Sequence, residues 1–273
     1  MRAHTSNVMH RELISPNCDI GDWMDDARDI MNFFIHYLPA GAAPGELPLH
    51  LQRVSSHESE ERQTRGYANR TLVVVGHSYG GACSAMLAAH CPELFSSLVL
   101  VDPTIKQYVP GIEQNARAHA MVRGALGRRD GWSSNEEVQR LFQAIPFFAC
   151  WDPAMLRTYV EYGFTSGGAG GVKLKTPGVQ EALVFSSIRF SGEIWELLDR
   201  IDEKVTLRWM MPGDMNSLSP PIDDEEAMRI KVWRRPANAS NVRLPAGHLI
   251  PHERPREFGE CCAVFRWWQS RLM

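Results

Sequence analysis

The residues best suited to do chemistry lie in Gly76-His77-Ser78-Tyr79-Gly80, a G-x-S-x-G pentapeptide. In a sharp strand-to-helix turn, this pattern lifts a serine hydroxyl clear of a sheet. Glycines at both ends are expected, because a Cβ there would meet neighbouring backbone. The same turn aims a helix N-terminus and the Tyr79 amide at the oxyanion that forms when Ser78 attacks a carbonyl. The pentapeptide arises by chance in roughly one chain in ten of this length, so its surroundings decide its meaning.

A serine hydroxyl is a weak nucleophile until a base takes its proton, and the base needs a carboxylate to orient it. His119, His248 and His252 lie well downstream of Ser78. His248, in Pro245-Ala-Gly-His248, directly follows the last expected strand. Loops at the C-terminal ends of such strands present chemistry, so His248 is the expected base. His252 stands in a Pro-flanked stretch and reads as a surface residue. His119 falls in a helical region, and His77 is expected to pack rather than to take protons. Two carboxylates compete for the acid. Asp102 ends the strand after the nucleophile helix, and Asp214 follows the next strand in Met211-Pro-Gly-Asp214. Their positions along the chain allow either. An aspartate nucleophile is disfavoured, because the elbow carries serine.

The elements that must hold these residues are legible from periodicity. Thr71 to Val75 is a short valine-rich run, expected to be a strand buried on both faces of a parallel sheet. Ala82 to His90 reads as a helix and Leu98 to Val101 as a second buried strand, which together make a βαβ unit. Before them, apolar residues from Trp23 to Leu38 recur every three or four positions, which predicts a helix over 19–38. Residues 39–69 hold three prolines and the polar run Ser55 to Gly66, and are expected to be a long loop. After the unit, helical patterns dominate 104–203, among them Glu136 to Ala144, Pro153 to Tyr162 and Gly178 to Asp199, interrupted by the glycine-rich Ser166 to Gly171. Val205 to Met211 and Asn241 to Leu244 are expected strands, and Arg254 to Leu272 a closing helix.

Composition bounds the rest. The 273 residues, 44% hydrophobic, suffice for one large core. A net charge of −3 leaves no basic surplus for phosphates, so nucleic acid is excluded as an expected partner. No apolar run is long enough to span a membrane. The acidic cluster Asp223 to Glu226 reads as a solvated face. The six cysteines form no CxxC pair or zinc-type spacing, so no metal or other cofactor is expected, and they read as reduced thiols. Met1 to Asn7 lacks the apolar core of a signal peptide, so a cytoplasmic location is expected. Ser270-Arg-Leu-Met273 nearly ends in a peroxisomal tripeptide, but Met273 displaces it.

The elbow through Gly81, the strand Leu98 to Pro103 and the late Gly247-His248-Leu-Ile-Pro-His-Glu-Arg-Pro255 together resemble the α/β-hydrolase superfamily. The segment Gly21-Asp-Trp-Met-Asp-Asp-Ala-Arg-Asp-Ile30 resembles a fungal subgroup of secondary-metabolism hydrolases. That subgroup includes the acyl-CoA thioesterase of mycophenolic acid biosynthesis and hydrolases of host-selective toxin pathways. The resemblance covers 10–38, 70–104 and 205–270. It implies an α/β-hydrolase fold with a mostly parallel sheet, and a helical lid over 104–203 between core halves at 1–103 and 204–273. It also implies Asp102 as the acid in preference to Asp214. Lid aromatics such as Trp132, Phe142, Phe148, Trp151 and Tyr159 would line an acyl pocket or fill the lid's own core.

One departure stands out. The resemblance implies strands and a His-Gly loop before the helix at 19–38, and residues 1–18 hold neither pattern. The N-terminal strands are therefore expected to be missing, with an exposed sheet edge and the loss of one oxyanion donor. The implied function is a serine esterase or thioesterase acting on a small hydrophobic acyl substrate, in fungal secondary-metabolite or toxin biosynthesis. Acyl transfer or cyclisation on the same residues, and a truncated non-catalytic binding protein, are the alternatives. A homodimer is left open.

Overall fold

The computed structural model describes residues 23–41, 50–108, 116–167 and 170–269. Residues 1–18, the start of the first expected helix and the C-terminal tetrapeptide lie outside them, as do the side chains beyond Ala263.

Helix α1 (Trp23–His36) buries Trp23, Ala27 and Ile35 along one stripe and carries Asp25 and Asp26 in its first turn, where acidic groups suit the dipole. The loop expected at 39–69 is corrected by α2 (Ser56–Arg65). Its polar composition hides it from hydrophobic periodicity, because its anchor is a charge. Arg62 is buried and donates to the Phe34 and Ile35 carbonyls at the end of α1, both at 3.1 Å. The overlooked signal was Ser55-x-x-Glu58, a helix-start pattern. Ser55 Oγ accepts from the Glu58 amide at 3.1 Å. The helix ends at Gly66, whose φ of +76° and closeness to the Glu93 carbonyl leave no room for a Cβ.

Strand β1 (Val73–His77), helix α3 (Tyr79–His90) and strand β2 (Ser97–Val101) form the βαβ unit. The segment between β2 and the next core strand holds α4 (Ala116–Gly127), β3 (Gly131–Trp132), α5 (Asn135–Gln143), α6 (Pro146–Ala149) and α7 (Pro153–Tyr162). It continues with β4 (Phe164–Ser166), β5 (Val172–Leu174), α8 (Gly178–Ser186) and α9 (Ile188–Leu197). The core resumes with β6 (Thr206–Pro212), α10 (Glu225–Val232) and β7 (Ala239–Leu244), then α11 (Ile250–Glu253) and α12 (Pro255–Gln269). The main sheet is parallel throughout, in the order β1-β2-β6-β7.

Strand β2 is buried at every position, as expected of a central parallel strand. Strand β1 is not, contrary to expectation. Val75 is 47% exposed, because among the described residues β1 pairs with β2 alone and forms the sheet edge. On one face of the sheet, α1, α3 and α9 bury Trp23, Met86, Leu87, Ile194 and Trp195 against Leu98, Leu100, Leu207 and Trp209. On the other, Val99, Val101, Met210, Leu244 and Ile250 pack with Phe258, Cys261 and Cys262 of α12. The five described cysteines are free thiols, and no described helix is long and apolar enough to cross a membrane.

The segment between β2 and β6 differs from its reading in two ways. It carries a small antiparallel sheet, β3-β5-β4, built from strands too short to show periodicity. Gly171 sits so close to the Trp132 carbonyl that a Cβ would fall 2.4 Å from it, so the glycine run serves a close backbone approach. The single helix expected over 178–199 breaks at Ser187. There the Ser186 and Ser187 hydroxyls donate back to the Leu183 carbonyl, at 2.8 and 3.1 Å. Trp132, Phe142, Trp151 and Phe164 are buried together in this segment's own core.

Candidate active site

The elbow forms because β1 and α3 meet with only Ser78 between them. Ser78 has φ +56° and ψ −128°, and Asp102 at the end of β2 has φ +34°. Residues other than glycine rarely adopt such backbone angles, which persist only where the surroundings over-determine them. The Ser78 amide donates to the Val101 carbonyl at 3.1 Å, and the Ser78 carbonyl accepts from the Thr104 amide at 3.0 Å. The elbow is thereby tied to the end of β2.

The glycine requirement is partly corrected. A Cβ on Gly76 would lie 2.6 Å from both the Gly80 carbonyl and Ser84 Oγ, as the motif demands. Among the described residues, nothing outside its own helix lies within 4 Å of a Cβ placed on Gly80. The second crowded position is Gly81, where a Cβ would fall 2.7 Å from Pro103 Cβ. The crossing of the turn over Asp102-Pro103 is what requires this glycine.

Ser78 Oγ lies 3.1 Å from His248 Nε2, and His248 Nδ1 lies 2.7 Å from Asp102 Oδ2. Asp102 is fully buried. Burial alone would push its carboxyl up. The His248 hydrogen bond and charge, the Lys231 ammonium and the Ile222 amide at 3.2 Å outweigh burial and hold it below the usual carboxylate range. An ionised Asp102 accepts from Nδ1–H, so Nε2 is bare and can accept the Ser78 proton. Asp214 is not brought to this cluster. It is exposed, and its Oδ1 accepts from the Asn216 amide at 3.0 Å.

Tyr79 heads α3, and its ring packs 5.5 Å from that of Trp23, anchoring the elbow to α1. His77 donates from Nε2 to the His248 carbonyl at 2.9 Å. Burial first, and then the charge of His248, pulls its imidazole down to about 3, so it stays neutral and packs. His119 is exposed on α4. His252, expected at the surface, is instead half-buried against the Trp151 ring at 4.3 Å, and burial pulls it down to about 4. The reason is long-range. The Asp152 amide donates to the His252 carbonyl at 2.8 Å, docking the inserted segment there.

Two features escaped the sequence reading. Thr104 Oγ1 lies 3.2 Å from Ser78 Oγ, on the side chain two residues after Asp102. Asp223, read as solvated, is buried and ion-paired with Lys231 at 2.5 Å and Lys106 at 3.1 Å. Lys231 Nζ also donates to the Pro103 carbonyl at 2.9 Å. A buried lysine on α10 explains a buried aspartate, but no local pattern pairs them. Among the described residues no cluster of histidines, cysteines and carboxylates has the makings of a metal site.

Comparison with known proteins places this geometry. A family model described as the alpha/beta hydrolase family matches residues 19–260. A type I acyl-CoA thioesterase, mpaH of Penicillium brevicompactum, is 29% identical over 140 residues, which cover 51% of this chain and 25% of that protein. The chain thus aligns with about a quarter of the length of that relative. The abhydrolase domain-containing protein ACTT2-1 of Alternaria alternata is 28% identical over 224 residues, covering 72% of this chain and 82% of that protein. Among solved structures, the peroxisomal alpha-beta-hydrolase Lpx1 of Saccharomyces cerevisiae aligns with a TM-score of 0.61 at 17% identity, covering 87% of this chain and 57% of that one. The thioesterase domain from the curacin biosynthetic pathway aligns at 0.57 and 15%, covering 88% and 73%. These two likenesses are of fold. With its elbow, parallel sheet and match over most of its length, the chain belongs to the alpha/beta hydrolase family.

Proposed function

We propose that this protein is a serine hydrolase that cleaves an ester or thioester of a small hydrophobic acyl group through an acyl-enzyme on Ser78. The observation that carries this reading is the continuous line of contacts from Ser78 Oγ through the His248 ring to the buried Asp102 carboxylate. In the first half-reaction Ser78 Oγ bonds to the carbonyl carbon as its proton passes to His248 Nε2. The imidazolium faces Asp102 through Nδ1–H, and the N-terminal end of α3, with the Tyr79 amide, stabilises the oxyanion. Collapse breaks the bond to the leaving alcohol or thiol, which takes the proton from Nε2. Water then bonds through its oxygen to the acyl carbon as its proton passes to the same nitrogen; the bond to Ser78 Oγ breaks, Oγ takes that proton back from Nε2, and the free acid leaves.

The acyl-CoA thioesterase among the relatives supports a thioester substrate, and the resemblance of Gly21 to Ile30 to fungal secondary-metabolism hydrolases supports work in secondary metabolism or toxin formation. Residues 104–203 act as the lid over the elbow, between core halves at 1–103 and 204–273. The docking of Trp151 and Asp152 against His252 supports this division. The test is a fluorophosphonate probe on the full chain. Wild type should be labelled and Ser78→Ala should not; equal labelling of both refutes the nucleophile.

A further inference from the structure

The loop that carries His248 is held by a group that the proposed reaction does not touch. Glu253, on α11, is 8% exposed and has no basic partner within ion-pair distance among the described residues. Burying a carboxylate without a cation is costly unless several donors satisfy it. Here the donors come from two loops. Oε2 accepts from the Gly247 amide at 2.9 Å and from the Ser217 hydroxyl at 3.4 Å, and Oε1 accepts from the Ser219 hydroxyl.

Those donors flank the base. The Gly247 amide belongs to the peptide preceding that of His248. The His248 amide itself donates to the Ser219 carbonyl at 2.6 Å, and the Leu249 amide reaches Ser219 Oγ at 3.4 Å. A Cβ on Gly247 would fall 2.2 Å from the Ser219 carbonyl, so glycine is needed for the two loops to close this tightly. Three residues further along the Ser219 loop, the Ile222 amide donates to Asp102 Oδ2. One loop thus touches both the acid and the base, and Glu253 fastens it to the base.

Resting on the reading of His248 as the base, we infer that Glu253 is a positioning residue: through Ser219 and the Gly247 amide it fixes the His248 loop so that Nε2 reaches Ser78 while Nδ1 reaches Asp102. A displacement of about 1 Å at such a site costs on the order of a hundredfold in rate. The effect falls on the chemical step, because Glu253 contacts neither reacting atom.

The test compares wild type, Glu253→Gln, Glu253→Ala and Ser219→Ala in full-length protein. Readouts are the rate of fluorophosphonate labelling, and kcat and KM on a p-nitrophenyl ester. Glu253→Ala should lower the labelling rate and kcat about a hundredfold with KM within about twofold. Glu253→Gln keeps an acceptor for the Gly247 amide and should recover at least about tenfold of the loss. Ser219→Ala, which keeps the carbonyl that holds His248, should cost about tenfold. Circular dichroism checks folding. If Glu253→Ala does not fold, Glu253→Gln and Ser219→Ala both at wild-type rate overturn the inference, as does a folded Glu253→Ala at wild-type rate.

A second readout needs no turnover. The proton on His248 Nδ1 should give a far-downfield resonance in wild type, and Glu253→Ala should lose it or broaden it. Absence of labelling in wild type, with that resonance present and sensitive to Glu253, would sink the nucleophile and leave the positioning role standing. A resonance unchanged in Glu253→Ala overturns the positioning role.

Discussion

Replacing Asp102 by asparagine keeps the side-chain volume and removes the charge. Asp102 Oδ2 faces two N–H donors, His248 Nδ1 at 2.7 Å and the Ile222 amide at 3.2 Å, while Oδ1 is buried with no partner among the described residues. An amide oxygen in the Oδ2 position would serve both donors. It would also put an NH2 in the Oδ1 position, where two unsatisfied N–H groups cost about 1–3 kcal/mol. The opposite flip sets NH2 against Nδ1. His248 must then carry its proton on Nε2, which can no longer accept from Ser78. In either orientation the imidazolium loses its facing carboxylate. Loss of the orienting carboxylate should cost Asp102→Asn roughly a thousandfold to ten-thousandfold in kcat/KM, about 4–5.5 kcal/mol of transition-state stabilisation. Asp214→Asn serves as the comparison. Asp214 is exposed and among the described residues its side chain caps only the Asn216 amide, so activity should stay within about twofold. The assay is hydrolysis of a p-nitrophenyl ester together with the phosphonate labelling rate, on variants shown to be folded. Loss of turnover in Asp214→Asn with Asp102→Asn near wild type would refute the reasoning.

Thr104→Val removes the hydroxyl 3.2 Å from Ser78 Oγ at constant shape; kcat should fall about tenfold, Thr104→Ser should restore it, and an unchanged Val variant would exclude a hydroxyl contribution. Gly81→Ala should destabilise the protein by at least about 1 kcal/mol, whereas Gly80→Ala, in open space on α3, should raise stability by about 0.5–1 kcal/mol; equal melting shifts would contradict the crowding at Gly81. His77 is pulled down to about 3, chiefly by burial and then by His248. Between about pH 6.5 and that value the unfolded chain binds a proton that the folded chain does not, so stability falls as pH falls, by up to about 1.4 kcal/mol per pH unit. Urea titrations of His77→Gln from about pH 6 to about pH 4 should show a shallower loss than wild type; identical slopes would rule out this linkage.

Local chemistry made much of the protein readable. A valine-rich run, a glycine-bounded serine and a small-residue helix specify a strand, a turn and a helix within a few residues of one another, and β1, Ser78 and α3 follow that order. The same local view failed where a distant group decides the outcome. The polar α2 stands because Arg62 reaches carbonyls 27 and 28 residues away, and only its Ser55-to-Glu58 start could have been read. Asp223 and His252 were placed in solvent because nothing near them in sequence announces Lys231 or the Trp151 ring.

The sequence by itself determined which residue types could react and that a parallel sheet would carry them, because side-chain period and turn sterics act over a few residues. Which aspartate meets His248 was a different matter. That contact spans 146 residues, and it depends on how far the ends of β2 and β6 stand from the loop after β7. The clamping of that loop by Ser219 and Glu253, and the approach of Thr104 to Ser78, likewise appear only once the strands are side by side. Pattern acts along the chain, whereas hydrogen bonds and ion pairs act through space over about 3 Å, and folding alone decides which distant residues come within that range.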